Sequence, residues 1–225
     1  MSASRSIVGL VIVLSLVAIP AGAQTRSGAR GSASQANPFT IRGFADVGGT
    51  TFTASQSFKA VFGSSGGVVF GGGVEGVWSE RIFFGLSASR FTKSGHRVFV
   101  ADGQTFDLGI DDQVTITPLE LTAGYRFGRP RSSLVPYLGG GVGWHRYKET
   151  STFASASDDV DETFHGYHVL GGVEFRLARL FGASAEAQWT TVPNALGQGP
   201  SSVGTAFDET NLGGLTIRGK FVIGQ

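Results

Sequence analysis

From Phe39 onward, apolar residues trade places with small or polar ones in runs of about ten residues, rich in Gly, aromatic and β-branched side chains. No segment carries a 3.6-residue apolar stripe behind an N-cap. The pattern predicts an all-β chain with strands over 40–53, 66–78, 82–92, 113–127, 134–147, 164–177, 181–192 and 210–223.

The spacers between these strands are of two kinds. Residues 79–81, 128–133 and 178–180 are short, whereas 54–65, 93–112, 148–163 and 193–209 are long and polar, and the kinds alternate strictly. That is the plan of an eight-stranded antiparallel up-and-down transmembrane β-barrel, with short periplasmic turns and long extracellular loops. Apolar stretches inside 93–112, Arg97 to Val100 and Thr105 to Ile110, predict that the third and fourth strands continue beyond the membrane as a hairpin.

Side-chain parity agrees. In the second strand Val68, Phe70, Val74 and Trp78 share one face, and Gly71, Gly73 and Glu75 share the other. In the seventh, Phe181, Ala183, Ala185, Ala187 and Trp189 alternate with Gly182, Ser184, Glu186, Gln188 and Thr190. Lipid on the apolar face is the reading that also fits the loop asymmetry. Trp78, Tyr125, Phe127, Trp144, Phe175, Trp189 and Phe221 stand near strand ends, where amphipathic rings form girdles at the membrane interfaces. Pro118, which lacks a ladder donor, predicts a bulge in the fourth strand.

Composition narrows the function classes. The chain has 225 residues with no Cys, so disulfide scaffolds and thiolate metal sites are excluded. Eighteen Lys and Arg against 17 Asp and Glu leave a net charge of +1, scattered along the chain, which is no footprint for nucleic acid. Hydrophobic residues at 41% and charged ones at 16% argue for one compact domain rather than disorder. At the start, Arg5 precedes the apolar run Ile7 to Ile19, followed by Pro20-Ala-Gly-Ala23. The run is short of the roughly 20 residues that span a bilayer as a helix. It predicts a signal peptide over 1–23, cleaved after Ala23, then a flexible leader over 24–38 and the barrel domain over 39–225.

Four phrases then resemble a family: Leu119-Glu-Leu-Thr-Ala-Gly-Tyr-Arg-Phe127, Pro136-Tyr-Leu-Gly-Gly-Gly-Val-Gly-Trp144, Leu170-Gly-Gly-Val-Glu-Phe175 and Leu212-Gly-Gly-Leu-Thr-Ile-Arg218. They are similar to the small outer-membrane β-barrel proteins of Gram-negative bacteria, the OmpA/OmpX-like barrel domain. The resemblance implies residence in the cell outer membrane as a monomer. It also implies contact with outer-membrane lipid and lipopolysaccharide, and insertion by the barrel-assembly machinery. Such barrels end in an aromatic residue, whereas here Phe221 is followed by Val-Ile-Gly-Gln225.

By parity, the lumen receives Arg42, Asp46, Glu75, Glu120, Arg126, Glu174, Arg176, Glu186, Arg218 and Lys220, five of each sign. Eight strands enclose little more than their own side chains, so a closed lumen with bridged charges is expected, with inward glycines making room for the long side chains. A narrow conducting pore is the alternative. Glu174 and Glu186 would lie diagonally across a hairpin, with Arg176 and Arg218 as counter-ions, a structural network rather than an acid–base pair. A lipid A-modifying enzyme is a further alternative. It would need His165, near His145 and His168, to meet one of Ser151, Ser155 and Ser157. Gly71 to Gly76 matches G-x-G-x-x-G, but inside a strand with no helix to follow. Asp158, Asp159, Asp161 and Glu162 lack the spacing of a calcium loop. No catalytic residue, cofactor or metal is expected. The function read from the sequence is a non-enzymatic surface platform that binds an extracellular ligand through loops 54–65, 93–112, 148–163 and 193–209, where Phe58, Phe62, Phe99, Phe106, Phe153 and Phe207 offer contacts.

Overall fold

The computed structural model describes residues 39–101, 104–128, 132–151, 160–197 and 202–224. The signal peptide, the leader, Phe153, Ser155, Ser157, Asp158 and Asp159 lie outside the described residues. Eight strands pair in chain order and close into a barrel: β1 (Phe39–Phe52), β2 (Gly66–Trp78), β3 (Ile82–Ala101), β4 (Gln104–Arg126), β5 (Leu134–Ser151), β6 (Val160–Arg176), β7 (Phe181–Thr191) and β8 (Gly214–Ile223). Every pairing is antiparallel, and β8 closes on β1 from Gly43↔Ile223 to Phe52↔Gly214.

Apolar side chains point out. Ile41, Val68, Phe84, Leu138, Val169 and Ile217 each keep more than half of their surface exposed, while Arg126 and Glu174 are 2% exposed inside. An apolar exterior around a charged interior suits lipid and not water. Along β7, eight steps of about 3.4 Å between Phe181 and Trp189, tilted roughly 40°, give an apolar band about 20 Å tall. Beyond it the outward positions turn polar, as with Arg90, Thr92 and Ser94 on β3 and Arg146 and Lys148 on β5.

The wall is uneven. β3 to β6 run 17 to 23 residues, whereas β1, β2, β7 and β8 run 10 to 14. The β3–β4 hairpin continues to Ala101↔Gln104, above the membrane. The expected bulge at Pro118 does not form: β4 keeps one register with β5 from Asp112↔Ser151 to Arg126↔Tyr137. The missing donor is absorbed by leaving Pro118 and Thr117 out of the β3 ladder, and the register shifts instead between His96 and Val98. There the hairpin has left the membrane, and an irregularity costs less.

Two of the long spacers hold short helices that the alternation did not predict, α1 (Ser55–Phe62) and α2 (Val203–Ala206). In α1, Phe58, Val61 and Phe62 fall on one side, and Gly63 closes the helix in the left-handed conformation at φ 73°. Its N-terminus has no cap of its own. The Glu209 carboxylate, in the neighbouring loop before β8, accepts from the backbone amides of Gln56 (3.0 Å) and Ser57 (2.8 Å). At the other end α1 lies so close to β3 that a Cβ on Gly95 would sit 2.7 Å from the Phe62 ring.

Candidate functional site

The inward positions form four levels from the periplasmic end to the outside. At the lowest, Arg42 on β1 and Arg126 on β4 clamp Glu174 on β6. Arg126 donates to both carboxylate oxygens at 2.7 and 2.8 Å, and Arg42 Nη1 donates at 3.0 Å. Arg42 also binds Glu75 on β2 at 2.5 Å. Beside this group, Glu186 on β7 accepts from Arg218 Nε (2.8 Å), Lys220 Nζ (2.5 Å) and the Tyr137 hydroxyl (2.9 Å). Every strand except β3 contributes a polar group to these two knots. Space left among the first group amounts to about 10 Å³, room for at most one water.

Arg176 stands outside this network. It lies 3.5 Å from Glu80 at the periplasmic rim and is partly exposed, so Arg42 and Arg126 hold Glu174 while Arg218 holds Glu186. Inward glycines make room mainly for rings. A Cβ on Gly172 would meet Tyr137 at 2.6 Å, one on Gly166 would meet His145 at 2.7 Å, and one on Gly139 would meet Phe83 at 2.9 Å.

The second level is a chamber of about 60 Å³ with Glu120, His145, Gln188 and Arg218 on its polar side and Phe52, Phe91, Ile116 and Leu212 on its apolar side. Gln188 Nε2 donates to Glu120 (2.8 Å), and Asp46 sits 3.9 Å from Arg218. His168 Nε2 lies 2.9 Å from the Thr122 hydroxyl and its Nδ1 3.6 Å from Glu120. Hydroxyl, imidazole and carboxylate in that order mimic a nucleophilic triad. The His168 side chain is 0% exposed, sealed at mid-membrane, so no substrate reaches it in this arrangement. His165 points outward against Trp144, with ring centroids 6.4 Å apart.

The third level is an apolar plug. Phe52 stacks on Phe58 of α1 at 4.3 Å and meets the edge of Phe91 at 5.0 Å, with Val114, Ile116, Tyr147, Val192 and Leu212 packed around them. Phe58, expected as an external contact, is therefore 3% exposed, and Phe62 packs against the same cluster, because α1 folds its apolar side into the barrel. Phe99 and Phe106 remain about half exposed.

Above the plug, the mouth opens into a cavity of about 570 Å³ between α1, the tall β3–β6 wall and the β7–β8 loop with α2. Phe62, Phe99, Leu108, Phe164 and Leu196 give it apolar sides. Asp112, Tyr147, Glu149, Glu162 and Arg97 add polar groups. Burial pushes both the Asp112 and the Glu149 carboxyl above their ordinary range, and the Asp112 charge pushes Glu149 further. Asp112 and Glu149 fall in the spacers 93–112 and 148–163, just beyond the strands that the alternation predicts, although Asp112 shares the inward phase of Glu120 and Arg126. Asp161 and Glu162, adjacent in sequence, part company: Asp161 is bound outside by Arg146 at 2.6 and 2.7 Å, while Glu162 faces the cavity. Among the described residues, no group of three or more His, Cys, Asp or Glu is placed to hold a metal ion.

The aromatic side chains divide between two levels on the outside. Trp78, Tyr125, Phe127, Phe175 and Phe221 lie toward the short turns, where Arg81 donates to the Tyr125 hydroxyl at 2.7 Å. Trp144 and Trp189 lie toward the loops.

A closed antiparallel barrel of eight strands, apolar outside, charged within and plugged, defines a small transmembrane β-barrel. Residues 7–208 match the outer membrane protein beta-barrel domain family, and the chain belongs to it. Its place is the outer membrane. Among solved structures it is similar to Neisserial surface protein A of Neisseria, at 13% identity over 83% of this chain and 97% of that one, with a TM-score of 0.50. It is also similar to a major outer membrane protein of Thermus thermophilus, at 10% identity over 82% and 99%, with a TM-score of 0.49. A third is the N-terminal β-barrel domain of Pseudomonas aeruginosa OprF, at 13% identity over 81% and 97%, with a TM-score of 0.43. At 13% identity the likeness to Neisserial surface protein A shows the fold. No curated protein matches the sequence.

Proposed function

We propose that this protein is a non-enzymatic, non-conducting surface barrel that binds an external ligand at its loop-walled mouth. The observation that carries the reading is the double closure: the ionic knots at the periplasmic end and the Phe52–Phe58–Phe91 plug toward the outside, with the mouth cavity lying above the plug and opening outward. Loops held on a rigid scaffold are where binding usually resides. The barrel acts as a monomer surrounded by lipid and lipopolysaccharide, delivered by the signal peptide over residues 1–23 and inserted by the barrel-assembly machinery. A mature N-terminus at Gln24, read by mass spectrometry, supports that route; a retained Met1 sinks it.

Planar-bilayer recording tests the closure, using protein whose gel mobility without boiling shows it to be folded. The expected result is stable insertion with no discrete openings. Resolved openings would overturn the reading in favour of a narrow pore.

A further inference from the structure

We propose that the mouth cavity is a site for a small amphipathic amine, a molecule with an aromatic or aliphatic body and a protonated nitrogen. The proposal rests on the reading of the mouth as a binding surface and names what it takes.

Size comes first. About 570 Å³ lies within the range of pockets that enclose small molecules. The sides contributed by Phe62, Phe99, Leu108, Phe164 and Leu196 match an apolar body, not a sugar or a bare ion. Among the described residues the charged groups have one dominant sign: the carboxylates Asp112, Glu149 and Glu162 border the cavity with the guanidinium of Arg97. An anionic ligand is repelled and a cationic one attracted.

Asp112 and Glu149 carry the specificity. Asp112 is only 4% exposed, held by a 3.0 Å bond from the Ser151 hydroxyl, and Glu149 accepts from Tyr147 at 2.8 Å. Burial raises both carboxyls above their ordinary range, and the Asp112 charge pushes Glu149 further, while Arg97 and the hydrogen bond between the two carboxyls pull Asp112 partly back. An ammonium beside this hydrogen-bonded pair favours its charged form and donates charge-assisted hydrogen bonds to it. Ser57 is the second, independent mark. It borders the same cavity, is 7% exposed, and its hydroxyl has no hydrogen-bond partner. A buried hydroxyl without a partner is uncommon in a finished structure, and a polar group on a ligand would supply one.

Three indoles of similar shape test this: tryptamine (cationic), 3-ethylindole (neutral) and indole-3-propionate (anionic). Each is titrated by calorimetry, near neutral pH, into the barrel in phospholipid nanodiscs, with empty nanodiscs subtracted. Tryptamine is expected to bind saturably, one per barrel, about tenfold more tightly than 3-ethylindole, with indole-3-propionate weakest. Asp112→Asn and Glu149→Gln should each weaken tryptamine about tenfold and leave 3-ethylindole unchanged. Equal binding of the three indoles, or tryptamine binding indifferent to both substitutions, overturns the proposal. So does the lack of saturable tryptamine binding to a barrel that still migrates as folded. That last result leaves the non-conducting surface barrel standing, which only the bilayer recording can remove.

Discussion

Along β4 the inward side chains change from Arg126 through Thr122 and Glu120 to Ile116, Val114 and Asp112, and the two ends of that series handle charge in opposite ways. At the periplasmic end the charges are matched. Glu174 takes three hydrogen bonds from two arginines, and Glu186 takes three from Arg218, Lys220 and Tyr137. At the mouth, Asp112 and Glu149 face each other with hydroxyls as neighbours and Arg97 as the nearby cation. Inside the membrane band no water relieves an unmatched ion, so Glu174 and Glu186 are each bridged on several sides, and Asp46, whose oxygens accept no hydrogen bond, has Arg218 3.9 Å away. Above the band the constraint relaxes, and an unmatched pair becomes a feature a ligand can use.

Breaking the matched end should have the largest effect. Arg126→Leu strips Glu174 of its two-pronged partner and leaves a buried carboxylate under-bonded, a loss of about 3–5 kcal/mol of unfolding stability. Urea unfolding in lipid vesicles measures it; a loss below about 1 kcal/mol would mean the lumen is wet enough to solvate Glu174. Phe52→Ala attacks the plug and should cost about 3 kcal/mol. Neither change alone should open a current, because each leaves the other closure in place. A conducting Phe52→Ala barrel would show that the ionic end does not seal.

Smaller effects sharpen the contrast at the mouth. Glu209→Ala removes the acceptor for two amides of α1 and should loosen that helix by about 1 kcal/mol. Faster protease cutting within 54–65, with the gel shift of the folded barrel unchanged, is the expected signature. Smallest is the pH effect. The carboxyls of Asp112 and Glu149 titrate above their reference values of 3.8 and 4.5 when folded, so the folded state holds their protons more tightly than the unfolded chain does. Their favourable contribution is complete below the unfolded values and fades as pH rises through the raised folded ones. The urea midpoint should therefore drift down from acid toward neutral pH, by under about 1 kcal/mol after solvent screening, and Asp112→Asn should flatten its share. A pH dependence identical in the wild type and in Asp112→Asn contradicts the assignment.

The barrel was legible because its rules are local. Period-two alternation places Phe181, Ala185 and Trp189 outward and Glu186 and Arg218 inward without knowledge of any distant residue. Strand ends in the membrane were readable to within a few residues for the same reason. What was not legible depends on contacts between remote parts of the chain. The α1 signal was present, in Phe58, Val61, Phe62 and Gly63, but its N-terminal cap comes from Glu209, 153 residues away. Which arginine meets Glu174 depends on barrel closure and strand stagger, so Arg176, two residues from it in sequence, goes to the rim while Arg42 and Arg126 arrive from across the lumen. The Pro118 expectation failed because a proline needs only one neighbouring strand to yield, and β3 yields there while β5 holds the register.

The bridge from Glu209 to the first turn of α1 has a further consequence for how this surface can vary. Two exposed segments far apart in the gene share one carboxylate, so recombination or mutation that replaces residues 193–209 also rewrites the fit of 54–65. The two segments form one structural unit, and a replacement of residues 193–209 that lacks an acid at position 209 calls for a self-sufficient cap on α1.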